Sequence, residues 1–490
     1  MGHPRIYPTG TTYYNADEAY AGYTVYPCAK GALLIDMRGN EVQLWAGLFG
    51  YPNKILPGGY VLGSPGVRDP KRSHLEQLAL IQVDWNGRVV WKFDKNEFIE
   101  DPGGRPGYIA RQHHDYQREG SPVGYYSPGS APRTDGGSTL LLVHVDSRNP
   151  RISDKPLLDD RFIEVDWEGR VIWDWIASEH FDELGFDECA RNVLFRSPAV
   201  VNTGQGDWLH MNSLSTLGPN KWYDSGDERF HPDNIIWDAR NANILAITSK
   251  KTGRIVWRIG PNFRENASVE RLGWIVGQHH FHMIPRGLPG EGNLLVFDNG
   301  SLGGYGLRNG TSTDVKTSTH RDHTRVIEFD PISLEVVWEY TSRNAGYYDG
   351  FRFYSPYISS AQRLPNGNTL ITEGSDGRIF EVTRSHKTVW EYINPYYTRH
   401  LAGVERGVNN MVYRAYRVPY EWIPQLDVPR EAPIEPPDIR LYRVPGSISG
   451  ASPENEVAVS GVRADAPSPA RHPAASLLVP EQRAGVRDFE

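Results

Sequence analysis

Short runs of β-branched and aromatic residues alternate with polar turn residues along most of the chain, a pattern that predicts β-hairpins. One hairpin recurs six times: an apolar strand, a turn rich in Asp, Asn, Ser and Gly, and a second strand ending in an aliphatic residue followed by Trp. Residues 83–91 and 165–173 are the clearest copies. The six repeated tryptophans are Trp45, Trp91, Trp173, Trp257, Trp338 and Trp390.

A second repeated unit, Leu-Pro-x-Gly followed by an apolar strand, lies between these hairpins. It occurs at residues 56–62 and 364–371, with degenerate copies at 137–143 and 292–297. Two hairpins make one four-stranded sheet, so the repeats predict an all-β fold, a six-bladed β-propeller with inserted loops and a C-terminal extension. Two stacked sandwiches are the alternative, but sandwiches do not usually repeat a Trp hairpin six times.

Five such second hairpins lie between Trp45 and Trp390, and a ring of six sheets needs one more, which residues 404–418 can supply beside the N-terminal hairpin. Such closure joins the two ends of the chain and protects the sheet edges. The middle Trp residues are about 80 residues apart, against about 40–50 for an ordinary blade, which predicts insertions there. The predicted regions are an N-terminal arm at 1–30, the propeller at 31–420, a Pro-rich strap at 421–450 and a flexible tail at 451–490.

Composition and charge exclude several classes of protein. The chain of 490 residues has 49 Gly and 36 Pro, which suits a turn-rich fold, and its 14 Trp and 26 Tyr exclude a chain disordered throughout. Two Cys cannot form a disulfide framework, and no apolar run is long enough for a transmembrane helix. A net charge of −8 argues against nucleic acid as a partner. No membrane partner is predicted, and the sequence does not indicate an oligomeric state.

The N-terminus has no basic segment followed by an apolar stretch. A signal peptide would have both features. We therefore expect a cytoplasmic protein, or a periplasmic one if the sequence is a processed form.

Histidines recur where the innermost strands of three sheets are expected to begin. They are His114, His210 and His279. Because the innermost strands of a propeller line its central channel, we expect these side chains to converge at one pocket. Alternation of side chains along a strand places His113, His280 and His282 on the opposite face, as structural or supporting residues.

Two polar residues near His210 extend this candidate pocket. Arg240 lies on the following strand, where its guanidinium could bind a sulfate, phosphate or carboxylate, or else form a structural salt bridge. Asn212, two residues after His210, is expected to face the same side and could donate a hydrogen bond. A neutral imidazole can act as nucleophile or base, and a charged one can bind an oxyanion.

At these residues the sequence resembles the arylsulfotransferase family, the bacterial aryl-sulfate sulfotransferases that use no nucleotide sulfate donor. The resemblance extends from about residue 31 to residue 397, and the family fold is a six-bladed propeller. The segments that carry it are residues 207–213, 250–260, 278–279, 294–300 and 364–371.

The resemblance implies transfer of a sulfuryl group from an aryl sulfate to a phenolic acceptor through a histidine intermediate, with a small aromatic molecule as substrate. It implies that His279, in the Gln-His motif, is the nucleophile. The implied catalytic residues are His279, His210, His114 and Arg240. The implied substrate-binding residues are Asn212, Gln278 and Ser359. Ser359 is adjacent to Ile358, which stands where the family usually carries threonine.

Two other functions remain open. No cofactor is predicted for sulfuryl transfer, but His114, His210 and His279 could instead hold a divalent metal for lyase or hydrolase chemistry. A non-catalytic propeller scaffold is the third possibility. The convergence of ionisable side chains argues against a scaffold, which does not need them in its channel.

Overall fold

Six antiparallel sheets, arranged as a β-propeller, make up most of the molecule. In this computed structural model the described residues are 9–69, 75–199, 206–301, 303–306, 320–401 and 404–436. The predicted six-bladed, all-β fold is confirmed. The predicted flexible tail at 451–490, and the part of the strap beyond residue 436, lie outside the described residues.

The secondary structure is dominated by short strands, with a few helical segments between them. In chain order the strands are β1 (Gly10–Tyr14), β2 (Tyr23–Cys28), β3 (Gly31–Ile35), β4 (Glu41–Ala46), β5 (Phe49–Leu56), β6 (Tyr60–Ser64), β7 (Leu80–Val83), β8 (Val89–Phe93), β9 (Glu97–Ile99), β10 (Gly107–Ile109), β11 (Gln112–Arg118), β12 (Thr139–Ser147), β13 (Leu157–Val165), β14 (Val171–Ile176), β15 (Met211–Thr216), β16 (Ile235–Ala239), β17 (Ile244–Thr248), β18 (Ile255–Ile259), β19 (His279–Met283), β20 (Leu294–Asp298), β21 (Arg325–Phe329), β22 (Val336–Tyr340), β23 (Ser360–Arg363), β24 (Thr369–Glu373), β25 (Arg378–Val382), β26 (Thr388–Ile393), β27 (Thr398–Leu401), β28 (Val404–Asn409) and β29 (Tyr416–Val418). The α-helices are α1 (Glu188–Arg196), α2 (Lys221–Asp224) and α3 (Ala267–Leu272). Single 3₁₀ turns or short 3₁₀ helices span Ala177–Leu184, Glu228–Phe230, Gly350–Arg352, Gly374–Asp376 and Tyr420–Trp422.

Each blade is a meander of neighbouring strands. From the axis outward the blades are β29-β2-β3-β4, β5-β6-β7-β8, β11-β12-β13-β14, β15-β16-β17-β18, β19-β20-β21-β22 and β23-β24-β25-β26, the last with β1 at its outer edge. The inner strands β11, β15 and β19 contact one another in turn. Side chains from these three strands therefore meet near the axis.

The two ends of the chain close the ring. Tyr23 and Val25 of β2 pair with Val418 and Tyr416 of β29, so the predicted closing segment completes the first blade with a single strand and not with the expected hairpin. Only its last three residues do so, because Val404–Asn409 forms a separate hairpin with Thr398–Leu401. Both β1 and β2, which lie within the predicted N-terminal arm, pair inside blades.

The repeated tryptophans link adjacent blades. Each indole N–H donates a hydrogen bond to a backbone carbonyl in the outer turn of the next blade. The bonds run from Trp45 to Asp84 (3.1 Å), Trp91 to Trp167 (2.9 Å), Trp173 to Lys250 (3.1 Å), Trp257 to Pro331 (3.0 Å), Trp338 to Arg384 (3.0 Å) and Trp390 to Met37 (2.7 Å). The last bond returns to the first blade. The Trp repeat is therefore explained by a contact that every blade makes with its neighbour.

Replacing Trp390 should weaken the ring closure. Its side chain is fully buried. In Trp390→Phe the carbonyl of Met37 loses the indole donor and keeps the longer bond from Oγ1 of Thr11 at 3.4 Å, a cost of about 1 kcal/mol. Trp390→Ala should cost about 3–5 kcal/mol because it also leaves a cavity. Urea unfolding followed by circular dichroism measures both. A Trp390→Phe midpoint equal to that of the wild type would show that the hydrogen bond adds nothing to stability.

The helices lie in the insertions that the long Trp spacing predicts. Helix α1 connects the third blade to the fourth, α2 lies between the first two strands of the fourth blade, and α3 connects the fourth blade to the fifth. Within the described part of the chain, no helix combines the length and apolar character needed to cross a bilayer.

Candidate active site

Three inner strands bring the predicted histidines together near the axis. His114 lies in β11, His210 immediately precedes β15, and His279 begins β19. The ring centroids of His114 and His210 are 4.6 Å apart. Burial lowers the pKa of both His210 and His279, and the charge of Arg240 adds to both shifts, so the guanidinium lies within electrostatic range of both rings. All four side chains are buried.

Irregularities of the backbone affect the orientation of these side chains. His114 and His210 have φ values of +54° and +53°, in the left-handed region that non-glycine residues rarely occupy. The register of each inner strand also shifts here, between Gln112 and Tyr116, between Met211 and Ser213, and between His279 and His282. A bulge inserts an unpaired residue and breaks the alternation of faces. Strain of this kind is concentrated at functional sites.

His279 is a neutral imidazole whose lone pair is on Nε2. Its Nδ1 lies 2.8 Å from Oδ1 of Asn299 and 3.2 Å from the carbonyl of Gly277. Both partners are acceptors, so Nδ1 carries the hydrogen. Nε2 in turn accepts the backbone N–H of Ile358 at 3.2 Å. Burial lowers the pKa of His279 well below 6.5, and the charge of Arg240 adds to this effect. The ring is therefore uncharged at neutral pH and suited to nucleophilic attack.

His210 forms a dyad with a buried carboxylate. Its Nδ1 lies 2.6 Å from Oδ2 of Asp207, which is fully buried. Burial lowers the pKa of His210 below 6.5, although the negative charge of Asp207 opposes that shift. Because Asp207 accepts the hydrogen on Nδ1, the lone pair is on Nε2. This arrangement suits a general base.

Arg240 is held beside the dyad by its own neighbours. Its backbone N–H donates to the carbonyl of His210 at 3.2 Å, and its Nη1 donates to Oδ1 of Asn241 at 3.1 Å. Asn241 in turn donates its side-chain amide to the carbonyl of Asp207 at 2.9 Å. A buried guanidinium whose charge acts on two neutral imidazoles is suited to bind an anionic group.

Asn212 and Gln278 bond to the backbone of neighbouring strands. Nδ2 of Asn212 donates to the carbonyl of Gln278 at 2.8 Å, which ties β15 to the residue before His279. Nε2 of Gln278 donates to the carbonyls of Ala239 and Ile244 at 3.2 and 3.1 Å. Among the described residues, Oδ1 of Asn212 and Oε1 of Gln278 are buried acceptors without a hydrogen-bond partner. Each could accept a hydrogen bond from a ligand hydroxyl.

Ser359 is also engaged by the protein. Its Oγ donates to Oγ of Ser355 at 2.8 Å and accepts the backbone N–H of Gly374 at 3.0 Å. The adjacent Ile358, with φ of +52°, presents its backbone N–H to His279. This segment therefore reaches the nucleophile candidate through the backbone of Ile358, while the Ser359 hydroxyl bonds elsewhere.

Three residues that the sequence did not assign complete the site. Asp207 orients His210 and Asn299 orients His279. Both lie in segments that carry the family resemblance. An aspartate three residues before the predicted histidine was a sequence signal that could have identified Asp207 as its partner. Tyr413 donates its hydroxyl to the carbonyl of His114 at 3.1 Å. It arrives with the closing segment, some 300 residues away along the chain, so no local pattern identifies it.

A buried ion cluster ties the closing segment to the inner strands. Asp115 accepts from Nζ of Lys54 at 2.6 Å and from Nη1 of Arg414 at 2.8 Å. Burial raises the pKa of Asp115, but the two cations outweigh that effect and lower it. Arg414 also donates to the carbonyl of Asn212. The cluster therefore fixes the backbone that carries part of the candidate site.

The residues best placed to hold a metal differ from the predicted trio of His114, His210 and His279. Over the residues that the structure describes, one group offers three ligand atoms that all lie within 4.8 Å of one another. It consists of His113, His144 and Asp160. His113 contacts the site directly, since its Nδ1 lies 2.8 Å from Nδ1 of His114.

Comparisons with solved structures find loose likenesses to other proteins. A protein of unknown function from Bacteroides caccae is 10% identical, with a TM-score of 0.43 and coverage of 81% of this chain and 99% of that one. AztD from Citrobacter koseri is 10% identical, with a TM-score of 0.32 and coverage of 81% and 98%. The Dos1 propeller is 12% identical, with a TM-score of 0.29 and coverage of 78% and 69%. Likenesses at these levels indicate nothing about activity.

Comparison with curated proteins finds no match. Comparison with protein families finds one, described as Arylsulfotransferase (ASST), over residues 130–414. The matched region is more than half of the chain. It spans β12 to the residues just before β29 and contains His210, Arg240 and His279. The chain therefore belongs to the arylsulfotransferase family.

Proposed function

We propose that this protein transfers a sulfuryl group from an aryl sulfate to a phenol through a covalent intermediate on His279. Membership of the family supports sulfotransferase activity in general. One observation supports the finer proposal above the others: His279 is buried and neutral with its lone pair on Nε2, beside Arg240 and the dyad of His210 and Asp207. A nucleophile, a cation and a base are the three groups that this reaction needs.

In the first half-reaction, the lone pair on Nε2 of His279 attacks the sulfur. The bond between sulfur and the aryl oxygen breaks, and its electron pair leaves on that oxygen. The hydrogen bond from the backbone of Ile358 to Nε2 has to open first. Arg240 offsets the negative charge on the sulfuryl oxygens. Asn299 accepts the hydrogen on Nδ1 and so stabilises the positive charge that develops on the ring.

In the second half-reaction, the acceptor phenol gives its proton to Nε2 of His210. The phenolic oxygen attacks the sulfur, the bond between sulfur and His279 breaks, and the electron pair returns to Nε2. Asp207 stabilises the imidazolium that His210 becomes. In the next turnover that proton passes to the departing aryl oxygen. Every step uses groups of the chain and of its substrates, and none uses a cofactor.

The pH dependence of the second half-reaction follows from His210. Burial lowers the pKa of His210 below 6.5, so the base is already unprotonated at neutral pH and becomes protonated only as the pH falls through that lowered value. We expect a rate that is flat from about pH 7 to 8 and declines on the acid side. Stopped-flow measurements should use an acceptor phenol that ionises above this range. A rate that rises as the pH falls below 6.5 would contradict the assignment.

A turnover assay tests the proposed function. The protein is incubated with 4-nitrophenyl sulfate, with and without phenol, and release of nitrophenol is followed by absorbance. With phenol we expect continuous release and formation of phenyl sulfate, which mass spectrometry identifies. Without phenol we expect a burst of about one equivalent, the kinetic sign of a covalent intermediate. Neither turnover nor burst with any of several aryl sulfates would overturn the proposal.

A further inference from the structure

A second cluster of buried ligand-type side chains lies behind the candidate active site. His113, His144 and Asp160 all come from the third blade, and each is at most 1% exposed. The rings of His113 and His144 stack with centroids 3.6 Å apart and an interplanar angle of 18°. Nε2 of His113 lies 3.3 Å from Oδ1 of Asp160. The mechanism proposed above uses none of these three side chains.

One pair of these atoms has the spacing of two ligands on one metal ion. The stacked rings of His113 and His144 have to move apart for both to bind the ion, because imidazole lone pairs lie in the ring plane and the two centroids are only 3.6 Å apart. Two ligand atoms at ordinary zinc distances and a tetrahedral angle are about 3.3 Å apart, which is the separation between His113 and Asp160. Among the described residues, Nε2 of His144 and Oδ1 of Asp160 are buried without a hydrogen-bond partner. Leaving a buried polar group unsatisfied costs about 1–3 kcal/mol. A bound cation would remove that cost for both atoms at once.

Asp160 presents one carboxylate oxygen to the two imidazoles. Its Oδ2 accepts the backbone N–H of Met211 at 3.3 Å, which leaves Oδ1 toward the two rings. A carboxylate oxygen and two imidazole nitrogens are donors that Zn²⁺ binds in proteins.

His144 has the outer partner that metal-binding histidines usually have. Oε1 of Glu76 lies 3.3 Å from its Nδ1, and Glu76 is itself held by Arg111 at 2.8 and 3.1 Å. Histidine ligands commonly donate their other ring N–H to a carboxylate, which fixes the ring and its tautomer. This contact leaves Nε2 of His144 for the metal.

We propose that Nε2 of His113, Nε2 of His144 and Oδ1 of Asp160 bind a divalent transition metal ion such as Zn²⁺. Three protein ligands leave one tetrahedral position for water. A metal on Nε2 of His113 places that ring's hydrogen on Nδ1, which then donates to Nδ1 of His114 across 2.8 Å. His114 in turn keeps its hydrogen on Nε2. The metal thus sets His114 as a hydrogen-bond donor from Nε2.

Metal analysis of untagged protein tests the site. The full chain is expressed in medium supplemented with Zn²⁺, purified without metal-affinity resin and gel-filtered against a weak chelator. We expect about one metal per chain by elemental analysis, and a loss to less than about a tenth in His144→Ala and Asp160→Asn. His282→Ala is the matched control, because His282 is an equally buried histidine outside the cluster. A folded, metal-free wild type, or full occupancy in both cluster variants, would overturn the proposal.

X-ray absorption on the wild type keeps the proposal testable if the variants do not fold. The expected spectrum shows two imidazole ligands and oxygen donors around one metal. A metal coordinated only by oxygen, or with a single imidazole, would contradict the site. Neither measurement depends on catalysis, so a failed metal proposal and a failed sulfuryl-transfer proposal give different results.

Discussion

Replacing His279 with alanine is expected to lower aryl-sulfate turnover by at least about 10⁴-fold, because no other group is then placed to hold the sulfuryl group. The pre-steady-state burst should disappear as well. His279 is buried and bonded to Asn299 through Nδ1, so Ala leaves a small cavity while Asn299 keeps its bonds to the carbonyls of Ser355 and Ile358. Nitrophenol release from 4-nitrophenyl sulfate, with and without phenol, measures both losses.

His280→Ala is the matched control for that experiment. His280 is the next residue, is equally buried, and accepts the backbone N–H of Ala361 at 3.3 Å. The His280→Ala substitution also removes a histidine side chain from β19, but it leaves the proposed nucleophile in place. We expect it to keep the burst, whatever its effect on stability. A burst of normal size in His279→Ala would show that another residue holds the sulfuryl group.

Replacing Asp207 with asparagine is expected to slow the second half-reaction by about 10²–10⁴-fold. The carboxylate accepts the hydrogen on Nδ1 of His210 at 2.6 Å. An asparagine amide can instead donate to Nδ1, which moves the ring hydrogen to Nε2 and removes the base. The first half-reaction does not need that base, so the burst from 4-nitrophenyl sulfate should persist. Single-turnover experiments that add phenol to the preformed intermediate separate the two steps.

Asp159→Asn provides the comparison for Asp207→Asn. Asp159 is a buried carboxyl group that accepts the indole N–H of Trp208 at 2.9 Å and the backbone N–H of Ser178 at 3.3 Å. Asparagine can keep the bond from Trp208, so both half-reactions should stay within a few-fold of the wild type. Equal slowing of both half-reactions in Asp207→Asn would contradict the role assigned to the dyad.

The blades could be predicted from the sequence because their signal is local and repeated. Each repeated Trp, with Trp390 as the last, makes the same bond to the next blade, so each hairpin carries the same residue at the same place. The closing strand was harder to place. Its pairing with β2 joins residues almost 400 positions apart, and only Tyr416–Val418 of the predicted segment takes part.

The site was predictable in its residue types and less so in its geometry. Recurrence at the start of inner strands identified the three histidines. The structure places His114 against His210, and Arg240 lies within electrostatic range of His210 and His279. The placement of Asn212 depended on strand alternation, which the bulge between Met211 and Ser213 interrupts. Its Nδ2, the predicted donor, bonds to the carbonyl of Gln278. The left-handed backbone at His210, with φ of +53°, is a feature that the residue sequence alone does not reveal.

The covalent intermediate gives the most direct test of the central claim. Wild-type protein is mixed with 4-nitrophenyl sulfate without acceptor, quenched at alkaline pH and analysed by intact mass, and the modified peptide is then sequenced by tandem mass spectrometry. We predict one added SO₃ group per chain, located on His279, that disappears when phenol is added before the quench. Release of nitrophenol with no adduct, or an adduct on any other residue, would contradict the account.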